Sequence, residues 1–211
     1  MILALDVGNS NIVVYGLEND SIVFSGRMKT DKSESSEDIA SHIDFILKLN
    51  NVRKDAFRGA VISSVVPCIN DRAASAVRKL IGKKPLIAGK TADFGLNILM
   101  DNPQKVGEDM LVDTVAALEK YEPPMLIFDI GTASTCSVIN KEGSYIASII
   151  APGAMISLKA LSDNTAKLPK IKLEAPKSIL AKNTEESMKS GIIYGNAAMI
   201  SLKALSDNTA K

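Results

Sequence analysis

The chain has 211 residues, 46% of them apolar, and its 25 Lys and Arg against 24 Asp and Glu leave a net charge of +1. The apolar content suffices for a real core in one large domain or two small ones, and the near-neutral balance gives no bulk attraction to nucleic acid or to an anionic membrane. Trp is absent and aromatic residues make up only 4%, which argues against a base-stacking platform.

The N-terminus enters a strand at once, so neither a signal peptide nor a membrane span is expected. Ile2–Leu5 is an apolar run of strand length, and Ile12–Tyr15 is β-branched and aromatic. Between them lies Asp6-Val7-Gly8-Asn9-Ser10-Asn11, a polar turn. Gly8 lets backbone approach a ligand that a Cβ would hold away. Its neighbours offer amide and hydroxyl groups to phosphate oxygens. The turn Glu18-Asn19-Asp20 leads to a third strand, Ser21–Phe24. Arg27–Asp31 then runs into a charged, Ser-rich loop, where Ser35 or Ser36 caps a helix with Ile39, Ile43, Ile46 and Leu47 on one face. Asn50-Asn51 closes that helix.

Arg58–Val66 is the next strand, stopped by Pro67, and Ser63 and Ser64 suit turn or capping chemistry. Asn70–Ile81 is helical with Ala74, Val77, Leu80 and Ile81 inward, and Pro85–Ala88 is a short strand. Gly89–Gln104 is mostly irregular, with a turn at Asp101-Asn102-Pro103. A helix then begins near Val106-Gly107-Glu108-Asp109-Met110, and Asp109 and Asp113 share a face. Simple dipole complementation would also explain an acid there. Tyr121-Glu122-Pro123-Pro124 ends that helix and is the expected domain boundary, giving domains 1–120 and 121–211.

Residues 125–139 repeat the opening pattern: an apolar run, Asp129-Ile130-Gly131-Thr132, small hydroxyl residues, then a strand. A turn at 140–143 again leads to a third strand, Ser144–Ile150. The duplication implies two similar domains, mixed α/β with sheets flanked by helices. Two such loops facing each other would hold a polyphosphate from both sides. Pro152-Gly153 turns into a helix, 168–177 is an extended loop bounded by prolines, and Asn183 or Thr184 caps a further helix.

A second repeat is of another kind. Ala198–Lys211 copies Ala154–Lys167 letter for letter, which reads as a recent rearrangement, a cloning scar or a sequence error. It can still continue the last helix, since Met199, Leu202 and Leu205 keep an apolar stripe. Cys68 and Cys136 read as reduced, buried thiols of a cytoplasmic protein. His42, the single histidine, reads as a surface or helix-packing residue. Gly82-Lys83 lacks the earlier glycine and the Ser/Thr of a Walker A loop. Two Asp-x-Gly loops plus an acid at a helix start suit phosphoryl transfer, in which positioning and charge neutralisation dominate.

With these motifs in this order the chain resembles the type III pantothenate kinases, of the acetate and sugar kinase, heat-shock and actin superfamily of duplicated ribonuclease-H-like domains. The resemblance covers nearly all of 1–197. It rests on Asp6–Asn11, Ser63–Pro67, Asp101–Pro103, Val106–Asp109, Phe128–Thr135, Ile150–Gly153 and Lys182–Thr184. It implies ATP-dependent phosphorylation of pantothenate to phosphopantothenate, the first committed step towards coenzyme A. Asp6, Val7, Gly8, Asn9, Ser10, Asn11, Ile12 and Val13 would line the ATP phosphates, with Asp6 near Mg²⁺, and Thr132 would contact ATP. Asp109 would be the base, and Gly107, Glu108, Asp109 and Met110 would touch pantothenate. Asp129 would bind a monovalent cation, K⁺ or NH₄⁺. Thr184 would contact pantothenate in or near the partner subunit of a homodimer.

Several positions depart from the family pattern. Met110 stands where the family has an Arg able to pair with the substrate carboxylate. Met100 replaces an aromatic residue, and Ala147-Ser148 replaces two glycines. The copied segment replaces the strand–helix set that completes the second domain. The alternative is therefore a catalytically impaired, nucleotide-binding regulatory homologue of the same fold. A sugar or acetate kinase is a weaker third option.

Overall fold

The structure, a computed structural model, describes residues 1–19, 21–89 and 93–200. One compact unit contains 1–95 and 104–116, and the other contains 96–103 with the described chain from 117 on.

In the first unit β1 (Ile2–Val7), β2 (Asn11–Glu18) and β3 (Ser21–Lys29) form an antiparallel meander. β4 (Gly59–Ser64) and β5 (Leu86–Ile87) join the other side of β1 in parallel, so the sheet order is β3-β2-β1-β4-β5. The alternate residues Leu3, Leu5 and Val7 of β1 are buried together with Ile12 and Val14 of β2, the period-two pattern of a half-covered sheet. The third strand runs past the expected end at Phe24, because β2 starts at Asn11 and its pairing carries β3 out to Lys29. Asp20, expected in the β2–β3 turn, lies outside the described residues.

Helix α1 (Ser36–Leu49) starts on a reciprocal cap. Ser35 Oγ accepts from Asp38 N at 3.2 Å, and Asp38 Oδ2 accepts from Ser35 N at 3.0 Å. Its inward face is Ile39, Ile43, Ile46 and Leu47, and Asn50 caps its C-terminus. Helix α2 (Asn70–Ile81) has the expected bounds, and its expected inward residues Ala74, Val77, Leu80 and Ile81 all pack against the core, with Ala73 and Ala76 buried beside Val77. Ala74, Leu80 and Ile81 are only partly covered. Small side chains let this face sit close to the core. Cys68 is exposed, contrary to expectation, because in the 3₁₀ turn Pro67–Ile69 the core seat goes to Ile69. Cys136 is buried, and that burial pushes its thiol up. His42 is at the surface, with Nδ1 3.4 Å from Glu34 Oε1.

Two cations tie α2 to the first turn of α1 and to the segment before it. Arg72 donates to the carbonyl of Glu34 and, at 2.9 Å, to those of Lys32 and Cys68. Lys79 Nζ donates to Glu37, and this bond, followed by that from Ser36, takes the Glu37 carboxyl from an ordinary 4.5 down to about 2. A depressed acid contributes stability above its unfolded pKa and loses it as pH falls through the folded one. Lys79→Met should therefore lower stability slightly at pH 7, as befits an exposed pair, by an amount that shrinks as pH falls from the ordinary 4.5 toward 2 and vanishes below it. Urea unfolding at a series of pH values should show a shallower acid-side fall; an unaltered slope would contradict this.

Helix α3 (Glu108–Lys120) ends just before Tyr121. In the second unit β6 (Met125–Ile130), β7 (Ala133–Ile139) and β8 (Tyr145–Pro152) form a second antiparallel meander in the order β6-β7-β8. Tyr145 is fully buried, with its hydroxyl 3.1 Å from Ser137 Oγ. Helices α4 (Ala154–Asp163) and α5 (Thr184–Ile200) pack through Leu158, Met188 and Ile192, with Leu168, Ile171 and Leu173 of the extended loop against them. Asn183 is the cap of α5, its Oδ1 accepting from Glu186 N at 2.9 Å. The copied segment starts in the last turn of α5. Its expected apolar stripe through Met199, Leu202 and Leu205 falls outside the described side chains.

Candidate active site

The first Asp-x-Gly turn spans Gly8 to Asn11, between the Val7–Ile12 pair that ends the β1–β2 ladder. Gly8 N donates to Asn11 O at 3.0 Å and closes the turn. Asp6 is exposed at the end of β1, paired in register with Val13 on one side and Ser63 of β4 on the other. Asn9 and Ser10 are exposed, and Ile12 is buried beneath them. Ser64 accepts from Val66 N at 3.2 Å, so it shapes the turn after β4. A residue that sequence reasoning passed over, Thr30, donates from Oγ1 to Gly8 O at 2.7 Å and from N to Ser10 O at 3.0 Å. A lone Thr after a strand carries no signature that would single it out.

Asp109 lies in the first turn of α3 in the same unit, half-buried. Its Oδ1 accepts from Met110 N at 2.8 Å, so the carboxylate folds back over the helix start. A Cβ on Gly107 would come within 2.4 Å of that Oδ1. Glycine at 107 therefore gives the carboxylate its seat. Glu108 is turned elsewhere, its Cγ 2.9 Å from where a Cβ on Gly89 would stand. Met110 is 6% exposed, a buried thioether rather than a surface group. Gly107→Ala is expected to displace the Asp109 carboxylate and cut kcat by about 100-fold with little change in the KM for nucleotide. Steady-state kinetics test this; an unchanged kcat would mean that Asp109 tolerates the move.

The second turn, in the other unit, is one residue shorter. Gly131 to Ala133 lies between the paired Ile130 and Ser134, and Gly131 N donates to Ala133 O at 2.9 Å. Asp129 and Thr132 are exposed, and both Asp129 carboxylate oxygens are 3.8 Å from where a Cβ on Gly131 would stand. The start of α4 presses on this turn, with Gly153 N donating to Thr132 O at 3.1 Å. Ser134 is buried and donates to Asn196 Oδ1 at 3.1 Å, which ties α5 to β7.

Thr184 is exposed at the opposite end of α5. Twelve residues of helix put it roughly 18 Å from Asn196. Within this unit, therefore, Thr184 and the Thr132 turn are not brought together. Thr184 instead borders an apolar groove of about 800 Å³ between α4 and α5, lined in part by Leu161, Met188 and Ile192.

The donor set fits hard cations. Asp6 and Asp129 are exposed carboxylates, each at the end of a strand beside a glycine turn. Among the described residues no three His, Cys, Asp or Glu gather as a metal cage. Mg²⁺ in phosphoryl-transfer sites is commonly held by one or two carboxylates and the phosphates themselves.

A family profile for type III pantothenate kinases matches residues 2–204. The chain belongs to the type III pantothenate kinase family. A relative named type III pantothenate kinase, from Geotalea uraniireducens (strain Rf4), is 39% identical over 195 residues, covering 92% of this chain and 76% of its own. Among solved structures, a protein assigned to the Baf family of transcriptional activators from Campylobacter jejuni superposes with a TM-score of 0.55 at 18% identity, covering 99% of this chain and 79% of its own. That likeness concerns the fold alone. The fold class is the expected one, mixed α/β with sheets flanked by helices, and each unit holds an antiparallel three-strand meander that carries an Asp-x-Gly turn. Among the described residues no helix is long and apolar enough to cross a membrane.

Proposed function

We propose that this type III pantothenate kinase transfers the γ-phosphoryl group of ATP to the hydroxyl of pantothenate, forming phosphopantothenate for coenzyme A synthesis. The observation that carries this reading is the family match across 2–204. Asp109 takes the proton from the attacking hydroxyl. Its seat over Gly107, fixed by the Met110 N–H, supports that role. The Asp6–Val13 hairpin lines the phosphates, a reading supported by the exposure of Asn9 and Ser10 at its tip. Thr132 contacts the nucleotide from the second turn. Asp6 stands near Mg²⁺ and Asp129 near a monovalent cation, K⁺ or NH₄⁺; when bound, these cations neutralise charge on the transferring phosphate.

Gly107, Glu108 and Met110 border pantothenate beside Asp109. Thr184 contacts it from the partner subunit of a homodimer, a reading supported by its distance along α5 from Asn196. We also place the boundary between the two ribonuclease-H-like halves at the end of α3, after residue 120, and the protein in the cytoplasm, acting on a small molecule without nucleic acid or membrane. The purified protein with ATP, Mg²⁺ and K⁺ is expected to form ADP only when pantothenate is added. Pantothenate-independent ADP formation, or none at all, would overturn the assignment.

One observation favours the second reading, a nucleotide-binding homologue that does not turn over pantothenate. Met110 is buried and apolar where the resemblance sets an arginine, so it offers nothing to the substrate carboxylate. The pantothenate dependence of ADP formation separates the two readings.

A further inference from the structure

We propose that Thr30 is a positioning residue that holds the Gly8–Ser10 backbone in the shape that grips nucleotide phosphates. This rests on the assignment of that loop to the nucleotide. Thr30 follows the last residue of β3 and is 9% exposed. Two of its polar groups go to the loop: Oγ1 to Gly8 O at 2.7 Å and N to Ser10 O at 3.0 Å. In a trans peptide the carbonyl and the next N–H point to opposite sides. Drawing the Gly8 carbonyl toward Thr30 therefore turns the Asn9 N–H away from it, and Asn9 is exposed. Drawing in the Ser10 carbonyl does the same for the Asn11 N–H. Thr30 thus sets which amides can face an anion without touching the anion.

The frame that carries Thr30 is fixed on both sides. Before it, Lys29 pairs with Asn11 at the end of the β2–β3 ladder. After it, Asp31 Oδ1 accepts from Ser33 N at 2.8 Å and from Ser33 Oγ at 2.6 Å. Arg72 then clamps the carbonyls of Lys32 and Glu34. A hydroxyl delivered by so constrained a segment fixes the loop more closely than a solvent-exposed one would, because neither partner can drift to satisfy the bond elsewhere.

Thr30→Val keeps the shape and the backbone bond but removes the donor; Thr30→Ser keeps the donor. The readouts are the KM values for ATP and pantothenate, kcat, and the rise in unfolding temperature caused by MgATP. Thr30→Val is expected to raise the KM for ATP about tenfold, leave that for pantothenate within about twofold, and shrink the MgATP shift. Thr30→Ser is expected to behave as wild type. An unchanged KM for ATP in Thr30→Val, or Thr30→Ser behaving like Thr30→Val, overturns the proposal. Should Thr30→Val fail to fold, Thr30→Ala is held to the same criteria. A wild-type protein whose unfolding MgATP does not shift removes the nucleotide assignment and the proposal with it. A full shift retained by Thr30→Val removes the proposal alone.

Discussion

Asp109→Asn is expected to lower kcat for pantothenate phosphorylation by about 10²–10⁴-fold, while the protection MgATP gives against unfolding stays at the wild-type level. The substitution is a narrow one. Asp109 Oδ1 accepts the Met110 N–H at 2.8 Å, and an asparagine carbonyl oxygen can accept the same bond. The start of α3 is therefore kept, and so is the fit over Gly107. What the amide cannot do is take a proton from an attacking alcohol. A loss of thermal stability alongside the loss of rate would mean that the carboxylate acts mainly as a cap for its own helix. A kcat close to wild type would mean that the hydroxyl needs no base from this position, which a loose transition state makes chemically reasonable.

Gly153→Ala should have the largest structural effect. An added methyl would stand 2.2 Å from the Gly131 carbonyl oxygen and 2.5 Å from that of Thr132. Both are backbone atoms of the second Asp-x-Gly turn, so no side chain can swing aside to make room. Either α4 backs away, breaking the bond from Gly153 N to Thr132 O, or the turn deforms. We expect a loss of about 1–3 kcal/mol in stability and a raised KM for ATP, measured by urea unfolding and steady-state kinetics. The effect on nucleotide should exceed that on pantothenate, because the displaced backbone carries Thr132. A variant as stable as wild type with an unchanged KM for ATP would show that α4 and the turn are not pressed together.

Much of this was legible in the chain. Apolar runs bounded by polar turns mark the strands, Ser35 or Ser36 marks the start of α1 and Asn183 or Thr184 that of α5, and the structure uses Ser35 and Asn183. The paired Asp-x-Gly stretches pointed to both meanders, because each places its acid at the end of a short hydrophobic run. The missed features have specific causes. β3 runs on through Arg27, Met28 and Lys29 because β2 pairs with it; charged residues on an edge strand carry no alternation to read. Ala73 and Ala76 of α2 are buried beyond the expected face, because alanines contribute little to a hydrophobic stripe. Thr30 and Gly153 act on backbone carbonyls about twenty residues earlier in the chain. Contacts of that kind depend on the fold bringing segments together, and local spacing does not reveal them.

The unequal lengths of the two turns make each of them specific to its own half. The longer one is fastened by the Thr30 side chain just past the end of β3, and the shorter one by the cap of a helix. Transplanting either turn into the other half would change the number of residues between the paired strand ends and leave the graft without its own fastening. The two halves therefore carry similar turns whose supports are not interchangeable, and each can be loosened by substitution at its own fastening, Thr30 or Gly153.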